Sequence, residues 1–262
     1  MGRSAFYAWQ HSAPTTHQQE EQRLKPMIHE IFAQHRRRYG ARRIVAELSS
    51  LGETCSRSKV SEIMAKMHLL AIQPKSFKPR TTNSRHTLGF SPNLLLNGIG
   101  VSRINQIWVG DITYIPLKTE FAYLAVIMDL FSRKIVGWAF ELSMDEHLVI
   151  AALKQAIKAR QPPPQSVQHT DRGGQYASKK YRQILSRAQM QQSMSRAGDC
   201  YDNAFMESCF GTLKTELEMS AYETYEKALR EIKEYINYYN SIRRHSSIDY
   251  QSPTRFELSL EK

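Results

Sequence analysis

The sequence predicts an α/β protein: a mixed five-stranded sheet flanked by helices, preceded by a small helical domain. Three observations lead there. Apolar residues recur at helical spacing between Leu24 and Met67. From Ile107 the texture changes to runs rich in β-branched and aromatic residues, bounded by turn signals. Three hairpin-linked strands then give way to alternating helix and strand, the pattern of a mixed sheet covered by helices.

Residues 1–20 are polar and irregular and predict a flexible tail. Residues 21–72 predict three short helices. Ile28, Ile31 and Phe32 form the first apolar face, with Arg36-Arg37-Arg38 crowding its end. Ile44, Val45, Leu48 and Leu51 form the second stripe. Val60, Ile63, Met64 and Met67 form the third, capped by Ser56 or Ser58. Three helices with a tight second connection make a helix-turn-helix-like DNA-binding domain. Its third helix would offer Arg57, Lys59, Ser61 and Lys66 to DNA, and Arg42 and Arg43 add charge from the second. The plain alternative is a helical bundle with a solvated basic face.

Residues 73–105 predict a basic linker. The stretch holds Lys75, Lys78, Arg80, Arg85 and Arg103 without one Asp or Glu, which suits a strap along a phosphate backbone. Residues 106–222 predict the sheet domain. Its strands are expected at Ile107–Leu117, Phe121–Asp129, Lys134–Leu142, a short run ending at Asp171, and Met190–Ser195. Helices are expected at Asp145–Arg160, Ser178–Ala188 and Asp202–Glu218. Residues 223–262 predict a C-terminal helix, about Tyr225–Tyr239, and a basic tail.

Bulk properties narrow the partner. The 262 residues carry a formal net charge of +11, which favours a polyanion, nucleic acid before an anionic membrane. The most apolar stretch, Phe121 to Phe131, is too short to span a bilayer and contains Asp129. The N-terminal MGRSAFYAWQHSA has no apolar core of signal-peptide length, so a cytoplasmic protein is expected. Cys55, Cys200 and Cys209 are odd in number and scattered, which argues against a disulfide framework or a cysteine-rich zinc finger.

Three acids resist a surface reading as a set. Asp111 interrupts a hydrophobic strand, Asp171 ends another in HTDRGGQY, and Glu207 lies mid-helix. A carboxylate leaving a core is costly unless something offsets its charge. If strands one and four are neighbours and the late helix packs on that edge, the three converge. Clustered hard oxygens suit Mg²⁺ or Mn²⁺, and two ions so held can promote in-line attack on phosphorus. Lys214, seven residues after Glu207, shares its helix face and could hold a DNA phosphate. Taken singly, Asp171 fits ordinary turn chemistry, and Glu207 and Lys214 fit a solvated helix. Asp129 reads as a turn acid, Asp145 and Asp202 as helix caps, and Glu216 and Glu218 as a solvated face.

Asp111, Asp171 and Glu207, with 59 and then 35 residues between them, resemble the DDE triad of retroviral integrases and bacterial insertion-sequence transposases. The words WVGDITYI, MDLFSRKIVGW, HTDRGGQYAS, SMSRAGDCYDNAFMES and YYNSIRRHSSIDYQSP resemble one transposase group in particular, and the likeness runs from SAFYAW to SPTRFE. In that group the catalytic part is a second reading frame, normally fused by frameshift to a short upstream one. The resemblance implies a ribonuclease-H-like core and metal-dependent cutting and joining of transposon ends to target, with 3′-hydroxyl attack. It implies two Mg²⁺ (or Mn²⁺) ions on Asp111, Asp171 and Glu207, and Lys214 as the basic residue after the glutamate. It further implies a homo-oligomer on double-stranded DNA, the upstream-frame product as a possible partner, and a bacterial, nucleoid-associated setting without a membrane. Arg172, beside Asp171, joins the DNA-contact candidates. Two positions depart from the pattern: Gly110 stands where Thr is usual, and Asp199 where Asn is common.

Two other readings compete. A non-catalytic DNA-binding regulator or inhibitor of transposition fits the charge and the basic linker equally well. A tyrosine recombinase is suggested by Arg243-Arg244-His245 with Tyr250, but these crowd into eight positions and have no second Arg/His cluster upstream. Arg243 and Arg244 then read as a solvated helix end or as phosphate contacts.

Overall fold

A computed structural model describes residues 15–73, 89–95, 100–196, 204–218 and 221–261. The chain divides into two compact units, Met1–Gln73 and Pro74–Lys262. Within the first, helix α1 spans Thr16–Gln34, α2 Ala41–Ser50 and α3 Arg57–Lys66. The first helix begins well before Leu24, inside the stretch expected to be tail. Thr15 and Gln18 close a reciprocal cap: the Gln18 backbone N–H donates to Thr15 Oγ1, and the Thr15 backbone N–H donates to Gln18 Oε1 at 2.8 Å. Leu24, Ile28, Ile44, Leu48, Val60 and Ile63 are fully buried among the three helices. Leu51, expected in the stripe, is 63% exposed, because α2 has ended and the chain is already turning at Gly52. Of the two candidate caps for α3, Ser56 is used; its Oγ accepts from the Lys59 N–H at 3.2 Å.

The second unit is built on strands β1 (Ile107–Pro116), β2 (Phe121–Asp129), β3 (Ile135–Glu141), β4 (Val167–Thr170) and β5 (Gln191–Met194). Their order in the sheet is β3-β2-β1-β4-β5. β1 pairs antiparallel with β2, and β2 with β3, as short hairpins require; β1–β4 and β4–β5 are parallel. Helix α4 (Glu146–Arg160) makes the crossover into β4. Helices α5 (Gly174–Ala177) and α6 (Lys179–Arg187) lead to β5. The single helix expected over Ser178–Ala188 is thus preceded by an extra turn, and Ser178 caps α6. Helices α7 (Ala204–Glu216), α8 (Tyr225–Ser241) and α9 (Pro253–Ser259) complete the unit.

Each face of the sheet has its own apolar layer. On one face Val109, Ile115, Leu124 and Val126 meet Met206, Phe210 and Leu213 of α7 and Ile232, Tyr235 and Ile236 of α8. On the other, Trp108, Ala125 and Ile127 meet Leu148, Ala152 and Leu153 of α4 and Tyr181 and Leu185 of α6. β3 and α4 approach closely at Gly137, where a Cβ would lie 2.3 Å from the Ala152 carbonyl oxygen. Residues 89–95, in the predicted linker, lie along the outer edge of β5. The Met194 N–H donates to the Pro92 carbonyl, the Leu94 N–H donates to Ser193 Oγ at 2.9 Å, and Ser91 Oγ donates to Gln192 at 2.8 Å.

Two buried acids lock the frame away from these layers. Asp129 is fully buried in the β2–β3 turn and accepts from the N–H groups of Phe131, Ser132 and Asn105. Glu257 on α9 accepts from Ser132 Oγ, Lys134 Nζ and both terminal nitrogens of Arg160. The C-terminal helix is thereby clamped to the end of α4 and the β2–β3 turn.

Candidate active site

The parallel ladder between β1 and β4 ends at the pair Gly110–Thr170. The next residue on each strand is an aspartate, Asp111 on β1 and Asp171 just past β4. Parallel strands run roughly 5 Å apart, so the two carboxylates stand abreast at the carboxyl ends of adjacent strands. β1 pairs with β2 without a register break, so Asp111 projects to the same face as Val109, the face covered by α7. One Asp171 oxygen accepts from the Gly173 N–H at 2.9 Å, which fixes the turn after β4. Asp111 Oδ1 accepts from the Ile112 N–H at 2.8 Å. Both aspartates are half-buried.

Tyr176 registers both charges. Its phenol is driven well above the usual range by burial, and Asp111 and then Asp171 add to the shift. Across the face, burial pushes the Cys209 thiol of α7 up to about 11, with a smaller push from Asp111. Burial likewise pulls the Lys214 ammonium below its usual range, against the pull of Asp111. Lys214 Nζ lies 4.0 Å from the ring centre of Tyr114. Tyr114 escaped sequence reasoning because nothing local ties a strand tyrosine to a lysine on a distant helix.

Gly110 has a steric reason. A Cβ there would lie 2.7 Å from Gln168 Nε2, and Gln168 is fully buried. The Gln168 amide fills the space that a side chain at position 110 would occupy.

Glu207 stands in the first turn of α7, exposed. The helix packs across β1, but among the described residues no three His, Cys, Asp or Glu side chains are grouped to hold a metal ion. The structure thus brings Asp111 and Asp171 together with Lys214 nearby, and leaves Glu207 at the start of the covering helix. Asp202, expected to cap that helix, and Asp199 and Cys200 lie outside the described residues.

Several expected DNA contacts are engaged within the protein. Arg243 is 3% exposed and binds Glu216 through Nε and Nη2, at 2.7–3.0 Å; Glu216, expected on a solvated face, is 6% exposed. A guanidinium so enclosed cannot reach a phosphate, and the pair is a structural one. Arg243 Nη1 also sits 3.2 Å from His245, so two members of the grouping considered for a recombinase belong to this buried cluster. Arg244 donates to the Tyr250 carbonyl at 3.0 Å. Lys59 is turned back toward α1, 3.7 Å from Glu20, with its side chain 11% exposed. Lys66 pairs with Glu21 at 2.8 Å. Arg172 donates through Nε to the Ser195 carbonyl at 2.7 Å and lies over the Phe90 ring. Arg43 lies over Tyr39, while Arg42 and Arg57 are exposed. Lys78 and Arg80 lie outside the described residues.

Comparison with known proteins shows the family and the fold. The integrase core domain matches residues 101–200 and, in a second form, 188–253; an HTH-like domain matches residues 18–77. The chain is 41% identical over 251 residues to "Transposase for insertion sequence element IS904" of Lactococcus lactis subsp. lactis (strain IL1403), covering 94% of this chain and 98% of that one. It is 36% identical over 261 residues to "Transposase InsF for insertion sequence IS3A" of Escherichia coli (strain K12), covering 98% and 90%. An "Insertion element IS600 uncharacterized 31 kDa protein" of Shigella sonnei is 37% identical over 258 residues, covering 98% and 94%. Among solved structures, a simian T-cell lymphotropic virus intasome in complex with PP2A regulatory subunit B56 gamma shares the fold. Its TM-score is 0.50 at 18% identity, covering 81% of this chain and 70% of that one.

Proposed function

Since the chain belongs to the insertion-sequence transposases with an integrase core domain, we propose that it cuts and joins transposon-end DNA at Asp111, Asp171 and Glu207. The observation that carries this reading is the Gly110–Thr170 pair, which sets two carboxylates side by side at neighbouring strand ends. Two adjacent oxygen donors without nitrogen or sulfur fit a hard divalent cation, Mg²⁺ or Mn²⁺. Asp111 and Asp171 would hold such ions and Glu207 would complete the set. When bound, two ions lower the pKa of an attacking hydroxyl and neutralise charge gathering at phosphorus.

The chain's own residues supply orientation. The Asp171–Gly173 hydrogen bond restrains one carboxylate at the end of β4. Lys214 would take a phosphate oxygen of the DNA, and the exposed Arg42 and Arg57 would meet the backbone of a duplex held by the helical unit. In the first step water oxygen bonds to phosphorus as the bond to the 3′ oxygen breaks, and that oxygen leaves with a proton as a free 3′-hydroxyl. In the second, this hydroxyl loses its proton and its oxygen bonds to a target phosphorus as the target's own bond from phosphorus to its 3′ oxygen breaks. That oxygen leaves as a hydroxyl, taking up a proton, so one phosphodiester is exchanged for another. Joining two ends calls for a homo-oligomer on DNA, with the upstream-frame product as a candidate partner.

The test is a strand-transfer assay on duplexes carrying candidate end sequences, with and without Mg²⁺. Asp171→Asn and Glu207→Gln should each lose at least about 100-fold, the scale of removing one electrostatic stabiliser. Joining by Asp171→Asn at the wild-type rate rules out the site.

A second reading, a DNA-binding regulator of transposition without catalysis, draws on the HTH-like match over residues 18–77 and the net charge of +11. It predicts steeply salt-dependent DNA binding with no requirement for divalent metal.

A further inference from the structure

We propose that Tyr114 is a positioning residue whose ring holds the Lys214 ammonium beside Asp111, ready for a phosphate oxygen of bound DNA. The inference rests on the reading of Lys214 as a phosphate contact and adds the group that aims it.

β1 outruns its parallel partner: pairing with β4 stops at Gly110, while β1 continues to Pro116. A long side chain from α7 can therefore reach the edge of β1 beyond that point. Lys214 does so, its stem half-buried and its Nζ 4.0 Å from the Tyr114 ring centre. The ring is itself fixed. Tyr114 is 7% exposed, and Phe121 meets it edge-on at 5.5 Å and 86°. Asp111, three residues earlier on the strand, is close enough for its charge to act on Lys214.

The choice of partner matters. A carboxylate gripping Lys214 would cancel its charge, whereas an aromatic face attracts a cation through its quadrupole and leaves the charge in place. The ring limits where the ammonium can go, so less freedom is lost when a phosphate arrives.

Two measurements on the full chain test this. After reductive ¹³C-methylation, the Lys214 methyl signal, assigned by its absence from Lys214→Met, should be displaced upfield by the ring current in wild type. It should stay displaced in Tyr114→Phe and return to the ordinary lysine position in Tyr114→Leu; an undisplaced wild-type signal overturns the contact. The second is the slope of log K against log[KCl] for a fluorescein-labelled duplex of mixed sequence. Lys214→Met should flatten it by about 0.9, one phosphate contact. Tyr114→Leu should flatten it equally, the double variant no further, and Tyr114→Phe should keep the wild-type slope. If Lys214→Met keeps the wild-type slope, the phosphate reading fails and the aiming role with it. If Lys214→Met flattens it and Tyr114→Leu does not, the role of Tyr114 alone is overturned. Should Tyr114→Leu lose its fold by circular dichroism, Tyr114→Met, also ringless, takes its place with the same expected outcomes.

Discussion

Arg243 and Glu216 form a fully enclosed ion pair that joins the end of α7 to the chain just beyond α8. Glu216 takes two nitrogens of the guanidinium and also accepts from Tyr235 Oη at 3.1 Å. Because α7 carries Glu207 and Lys214, the pair fixes the far end of the helix that overlies Asp111. Removing one partner leaves a buried charge uncompensated. Arg243→Ala or Glu216→Ala should each cost about 3–5 kcal/mol in urea denaturation, while replacing both with apolar residues of matching volume should cost much less. Equal losses in the single and double variants would refute this account.

Gly110 and Gln168 share one space. Gly110→Thr places atoms where the Gln168 amide lies and should destabilise by about 1–3 kcal/mol, the scale of an overpacked core. Gln168→Ala should recover most of that loss in the Gly110→Thr background while destabilising wild type. Thermal unfolding of the four proteins gives the coupling, and simple additivity would show that the two positions do not compete.

Glu257 predicts an acid limb to stability. Burial by itself raises its carboxyl pKa, but Arg160, Lys134 and Ser132 outweigh that and hold it below the usual carboxylate range. A depressed folded value means that its stabilisation is complete above the unfolded value, about 4.3, and is lost as pH falls through the folded one. Wild type should therefore lose thermal stability below about pH 4.3, and Glu257→Gln, weaker at neutral pH, should show a shallower decline. Parallel pH profiles would remove Glu257 as the cause.

The aspartate pair should resist its own setting. Two like charges at adjacent strand ends repel, so Asp111→Asn should raise metal-free thermal stability by about 1 kcal/mol, the scale of a close charge pair near water. Added Mg²⁺ should stabilise wild type in proportion to ln(1 + [Mg²⁺]/Kd) and leave Asp111→Asn nearly unmoved. An equal response of both proteins to Mg²⁺ would place the ion elsewhere.

The sequence was most informative where a residue conflicted with its local pattern. Asp111 stands out because an apolar strand rarely carries a charge, and the strand order then puts it next to Asp171. The Thr15–Gln18 cap was present in the letters but masked by the polarity around it. Glu216 and Arg243 were illegible for the opposite reason. Each sits among other charges and looks solvated; only the return of the chain after α8 encloses them together. Lys59 follows the same logic, since its partner Glu20 comes from the preceding part of a helix whose start was misplaced. Local pattern reports a residue's period and company, whereas enclosure depends on which distant element closes over it.

The edge of β5 offers a last consequence, one that concerns synthesis. An open strand edge is a template for unwanted pairing with other chains. Here the shielding stretch, residues 89–95, leaves the ribosome before any strand of the sheet, and β5 emerges last. The nascent chain thus carries its guard in advance, ready to pair with the final strand as that strand joins β4. A transposase translated in a crowded cell would gain from never presenting that edge bare.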